Sequence, residues 1–131
     1  MFRVAAFIFT CALSSQNVFA QEADCANAQD QASLNICAQQ SYRASDAALN
    51  KSYAALSQKV SKEGLAKLKT AQRAWINYRD AQCEFESYGT ADGSVHPMIV
   101  SACLDQLTQA QTERLNLQLN CVEGDLSCGN Q

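Results

Sequence analysis

The sequence is poor both in residues that interrupt helices and in residues that run chemistry. It has one proline, five glycines, one histidine and one tryptophan in 131 residues. Pro97 is the only proline, and Gly89, Gly93, Gly124 and Gly129 fall in one loop and a tail, with Gly64 alone inside a helical pattern. Long, uninterrupted helices follow from that distribution. A single histidine leaves little scope for a Ser-His or Cys-His pair. There is no glycine-rich phosphate loop, no H-E-x-x-H and no G-x-S-x-G. No C-x-x-C pair is present either, so nothing calls for a metal. The sequence reads as that of a protein with no catalytic residues, no metal and no cofactor.

What is present begins with an export signal over residues 1–20. Arg3 supplies the positive start, residues 4–13 are apolar apart from Thr10, and Val18-Phe19-Ala20 offers a cleavage site. The apolar run is shorter than the about 20 residues a membrane span needs, and no second such run follows. Cys11, preceded by Ile8-Phe9-Thr10, is a poor match to a lipidation site. The expected mature domain is therefore residues 21–131, soluble, and periplasmic or secreted.

Removal of the signal takes Arg3 away and leaves nine Lys and Arg against thirteen Asp and Glu. This mild acidity argues against nucleic acid, whose phosphates need a basic surface. It is compatible with a cationic protein partner. Six cysteines remain: Cys25, Cys37, Cys83, Cys103, Cys121 and Cys128. An even number in an exported chain reads as a disulfide framework. Fifteen pairings are possible; order and spacing favour Cys25 with Cys37, Cys83 with Cys103 and Cys121 with Cys128 without excluding others.

Three helices are expected. The first starts near Asp30, a good N-cap, and runs to about Val60, with Leu49, Tyr53, Leu56 and Val60 on one stripe. Leu34, Cys37, Ser41 and Ser45 extend that stripe upstream. Ser61 can cap the second helix, whose apolar face holds Leu65, Leu68, Trp75 and Cys83. Residues 87–97 are the one long loop. The third helix runs from about Pro97 to Asn120, with Leu104, Leu107, Leu115 and Leu119 inward. Residues 120–131 form an irregular, disulfide-closed tail. The fold class is all-α, a small antiparallel three-helix bundle stapled by disulfides.

Gln72 and Arg79 fall on the apolar face of the second helix, where a long polar group needs a partner. Asp46, Asn50 and Tyr53 share one side of the first helix. If the two helices are antiparallel neighbours, Arg79 would pair with Asp46, and Gln72 would meet Asn50 or Tyr53. The structural reading is a polar network that fixes helix register, with Trp75 as a core aromatic. The alternative is a ligand-recognising stripe. Glu84 and Glu86, two residues apart, point to different faces and read as solvated charges.

The block Ala71-Gln72-Arg73-Ala74-Trp75-Ile76-x-Tyr78-Arg79-Asp80-x-x-Cys83, with Asp46-x-x-Leu49-Asn50-x-x-Tyr53 before it, resembles the LprI-type lysozyme inhibitor family. Cys25, Cys37 and Cys103 also fall where that pattern places them. The likeness covers most of the mature chain. Thr108 matches the family's Thr-x-x-Arg, but Gln111 stands in place of its arginine, with Arg114 about one turn later. Cys121 and Cys128 read as an added pair, and the founding type of the family is lipid-anchored, whereas no lipid anchor is expected here.

The resemblance implies inhibition of lysozyme, which protects peptidoglycan. Lysozyme cleaves between two carboxyl groups, so a blocking protein would direct a cation or hydrogen-bond donors toward them. Residues 87–97 are the expected contact, with Tyr88, Asp92 and His96 as candidate partner-binding residues. Acidity would steer the chain to a basic enzyme. Two competing readings are a non-inhibitory periplasmic adaptor or immunity-type module, and a small-molecule site on the Asp46–Arg79 face.

Overall fold

The computed structural model describes residues 24–122 and 124–129. The signal segment and Cys11 lie outside the described residues. Helix α1 spans Gln31–Lys59, α2 Lys62–Ser87 and α3 His96–Leu119, with a 3-10 turn at Tyr88–Thr90. Among the described residues there is no strand. The chain is the expected all-α three-helix protein.

The helix starts follow from local chemistry. Asp30 accepts from the Ser33 amide at 2.9 Å and the Ser33 hydroxyl at 2.6 Å, which satisfies a free N–H of the first turn. Ser61 does the same for Gly64 at 3.1 Å. Only Val60 and Ser61 separate α1 from α2, so the two helices turn back on each other. Helix α3 begins at His96, with Pro97 in its first turn and no side-chain cap. His96 is therefore a helical residue rather than part of the loop.

Helices α1 and α3 are the closest pair. They run parallel and hold one register from end to end. Asn35 Nδ2 donates to the Ser94 carbonyl at 3.0 Å, and Ser41 Oγ to Asp105 Oδ2 at 2.7 Å. Ser45 donates to the other Asp105 oxygen. Further along, Ser52 Oγ meets Asn116 Oδ1 at 2.7 Å, and Lys59 Nζ reaches the Leu119 carbonyl at 2.6 Å. Small side chains at positions 41, 45, 52, 101 and 108 are what let the two backbones approach.

The apolar core is small. Leu49, Leu56 and Leu115 are buried, and Tyr53, Val60, Leu68, Trp75 and Leu119 pack around them. Each fully buried leucine contributes about 1.5–3 kcal/mol. Ser52, Arg79, Ser87, Ser101 and Thr108 are buried beside them. Three disulfides supplement this core: Cys25–Cys37, Cys83–Cys103 and Cys121–Cys128. The second ties the end of α2 to α3. The third closes the tail, which lies back on α3 through Gln118, bonded to Ser127 and Gly129.

Candidate functional site

Two places concentrate polar or aromatic groups. One is the Arg79 cluster between α1 and α2. The other is the end of the molecule where α2 passes into α3.

Arg79 is held by its neighbours in every direction. Its side chain is 10% exposed. Nε and Nη2 both meet Asp80 Oδ1, at 2.9 and 2.8 Å, and Nη1 lies 3.9 Å from Asp46 Oδ1. The guanidinium sits over Trp75 at 5.1 Å and Tyr42 at 5.6 Å, close enough for cation–π attraction. Asn50 Nδ2 donates to the other Asp46 oxygen at 3.0 Å. Asp46, Asn50, Trp75 and Arg79 are thus brought together.

Tyr53 and Gln72 are not part of that set. Tyr53 packs on the leucine core. Gln72 Oε1 is buried with no hydrogen-bond partner. The expected contact of Gln72 with Asn50 does not form, because Asn50 turns back along its own helix to Asp46. Tyr42 and Asp80 are members that sequence reasoning missed. Tyr42 stands one turn before Asp46, and that spacing was the available signal. Burial pushes its phenol up, against the pull of Arg79, with Asp46 and Asp80 adding to the rise. The cluster sets one guanidinium against two carboxylates, Asp46 and Asp80. Among the described residues no group of three His, Cys, Asp or Glu can hold a metal.

The other end is built on Cys83 and Cys103, both buried and joined. Helix α2 continues to Ser87, which is 1% exposed and accepts from Thr90 Oγ1 through its carbonyl at 2.7 Å. The same Thr90 hydroxyl lies 3.1 Å from His96 Nδ1. Gly93 donates to the Thr90 carbonyl at 2.8 Å and His96 to the Gly93 carbonyl at 3.1 Å. Asn35 fixes Ser94 from α1. The expected long loop is a short, tied turn.

Aromatic and acidic side chains project from this turn. Tyr88 is 80% exposed and Phe85, one turn earlier, 77%. Asp92 is exposed. Beneath Tyr88 lies a cavity of about 420 Å³ lined by Asp80, Glu84, Ala91, His96 and Val100 among others. Tyr88 and His96 therefore line one cavity, and Asp92 stands outside it. Phe85 was not singled out from sequence; its position three residues before Tyr88, about one helical turn, was the signal.

The charges of the chain are segregated along its length. Residues 47–77 hold Lys51, Lys59, Lys62, Lys67, Lys69 and Arg73 against Glu63 alone. Residues 78–105 hold Asp80, Glu84, Glu86, Asp92 and Asp105 against Arg79, which is already paired. At the basic end a cavity of about 540 Å³ opens between the helices, with Leu56, Leu68 and Leu115 in its wall and Lys67 and Arg114 beside them. The two ends of the molecule thus present opposite charge.

Comparison with known proteins places the sequence in a family. The family described as lysozyme inhibitor LprI matches residues 22–115. An uncharacterized protein of Rhizobium meliloti (strain 1021) is 42% identical over 129 residues, covering 88% of this chain and 93% of the relative. No solved structure matches. The Cys121–Cys128 ring falls beyond the family match.

Proposed function

This chain belongs to the LprI lysozyme inhibitor family, and on that premise we propose that it is exported, binds a lysozyme and so protects peptidoglycan. Residues 1–20 are the cleaved signal. The three disulfides fit an oxidising compartment, periplasmic or extracellular. Among the described residues no helix is long and apolar enough to cross a membrane.

The contact surface in this reading is the acidic, aromatic end. The observation that carries it is Tyr88, 80% exposed on a turn fixed at both sides by buried groups. A rigid aromatic with carboxylates around it makes an anchor that loses little freedom on binding. The charge there is negative, so recognition works by acid groups surrounding a basic surface. His96, the expected hydrogen-bond donor of this turn, has its Nδ1 engaged by the Thr90 hydroxyl at 3.1 Å. Long-range attraction to a basic lysozyme raises the association rate, an effect that salt screens.

The test is clearing of peptidoglycan by c-type, g-type and i-type lysozymes with the oxidised mature chain titrated in. Dose-dependent inhibition of one class is expected. Tyr88→Ala with Asp92→Lys should weaken it at least tenfold and leave the melting temperature nearly unchanged. A folded sample that inhibits no class would overturn the reading and leave an envelope adaptor or immunity-type module in its place.

A further inference from the structure

The cavity at the basic end has no part in the lysozyme contact. Helices α2 and α3 are bridged by Cys83 and Cys103 near one end, and toward the other the space between them amounts to about 540 Å³. Leu68 and Ala71 of α2 line one side and Leu115 of α3 the other, with Leu56 and Val60 from the end of α1. The tail adds a further wall through Cys128 and Gly129. Gln118 holds that wall in place, accepting from the Gly129 amide at 2.8 Å and donating to the Ser127 carbonyl at 3.2 Å. Protein interiors are close-packed, with few voids larger than a water molecule. A gap of this size lies in the range of small-molecule sites, which in helical proteins occur between helices. Walls of leucine offer water no partners, so the body of an occupant is apolar.

The rim of the cavity fixes the chemistry of the occupant's other end. Lys67 and Arg114 both border it, and both are exposed. Lys67 is partly offset by Glu63 at 3.7 Å. The Arg114 side chain has no hydrogen-bond or ion-pair partner among the described residues, nor has that of Gln111, half-buried about one turn before it. A guanidinium matches a carboxylate, which it meets with two parallel N–H bonds. Gln111 adds a neutral donor beside it. The stretch 111–118 of α3 that borders the space covers about two turns, about 10 Å. The apolar space is therefore elongated along the helices, as an alkyl chain is.

We propose that this cavity binds a free fatty acid, with the alkyl chain between α2 and α3 and the carboxylate on Arg114 at the rim. The site lies at the opposite end of the helices from Tyr88, so the ligand and the lysozyme contact are separable. The Cys121–Cys128 ring, which lies beyond the family match, supplies part of the wall.

Isothermal titration calorimetry of the oxidised mature chain with decanoate tests this. Saturable binding of one decanoate per chain is expected. Octanoate, shorter by two CH₂ groups, should bind about fifteenfold more weakly. The neutral 1-decanol keeps the chain and lacks the charge, and should bind about tenfold more weakly. Arg114→Ala should weaken decanoate by about the same factor and leave 1-decanol unchanged. Ala71→Trp fills the space from an exposed position and should abolish binding of both, without loss of helical circular dichroism. Absence of saturable decanoate binding overturns the proposal. So does 1-decanol binding as tightly as decanoate, or decanoate binding unaltered by Ala71→Trp. A chain that ignores decanoate but sediments with vesicles of anionic phospholipid would assign the basic end to a membrane surface and equally overturn it.

Discussion

Between α1 and α3 the contacts are made by short side chains; between α1 and α2 they are made by some of the longest in the protein. Serines at 41, 45 and 52 bring α3 close and hydrogen-bond to Asp105 and Asn116. On the other side, Arg79 and Trp75 bridge a wider gap to Tyr42 and Asp46. A close interface of small residues specifies register through many weak bonds. A wide one concentrates its energy in a few groups and leaves a cavity at one end, walled by Leu56 of α1 and Leu68 of α2. The first therefore acts as the scaffold and the second as a helix hung from it, presenting its outer face and its C-terminal end.

The hung helix should be the easier one to release. Replacing Cys83 and Cys103 with alanine frees its end from α3. The closed loop has a sequence separation of 20, and losing it should cost about 3 kcal/mol. A lower urea midpoint, with faster hydrogen exchange in α2 than in α1, would show that the bridge is what joins the two units.

Next in size is the Arg79 cluster. Asp46→Asn with Asp80→Asn strands a cation that is only 10% exposed. The expected loss is about 2 kcal/mol, below that of a fully buried pair because both carboxylates reach solvent. Arg79→Met keeps the stem and leaves the carboxylates hydrated, so it should cost about 1 kcal/mol. Thermal unfolding of the two variants would check the order; the reverse order would mean that the arginine, not its neutralisation, carries the contact.

Thr108 offers a gain. It is fully buried at the α1–α3 contact and its hydroxyl has no partner. Thr108→Val removes that unmet donor at nearly equal volume and should stabilise by about 1 kcal/mol. Gln72→Leu should act in the same direction in α2. Chemical denaturation would register both as higher midpoints.

The smallest effect is one of pH. Burial raises the Asp105 carboxyl, but hydrogen bonds from Ser45, Ser41 and Gln109 outweigh it and hold the group below its ordinary value of 3.8. A carboxyl depressed on folding adds stability in full above its unfolded value. That share is lost as pH falls through the lower, folded value. Ser41→Ala with Ser45→Ala should therefore flatten the stability curve on the acid side of 3.8 and leave its shape above pH 6 unchanged. An unaltered acid limb would remove Asp105 from the account.

The helices were legible in the sequence because their starts are chemical: Asp30, Ser61 and Pro97 mark them, and observed ends lie within a residue or so of the expected ones. The meeting of Arg79 with Asp46 was legible because a charge on an apolar stripe demands a counter-charge. What was hidden depends on distances between helices. Ser41 and Ser45 could be placed on the inner stripe, yet nothing in their spacing names Asp105, some sixty residues away. Gln72 was assigned a partner on the premise that α1 and α2 lie close. Asn50 bonds locally to Asp46 instead. The turn at 87–97 was read as a long loop because Gly, Ser and Asp are shared by loops and by tight 3-10 connections.

The most direct test is amide hydrogen exchange of the oxidised chain, free and with whichever lysozyme class the titration shows it to inhibit. The predicted footprint is slowed exchange over residues 85–96, with α1 and α3 already slow in the free protein and little changed. Slowing centred on the Asp46–Arg79 face, or spread evenly along the chain, would contradict the assignment of the acidic, aromatic end as the contact.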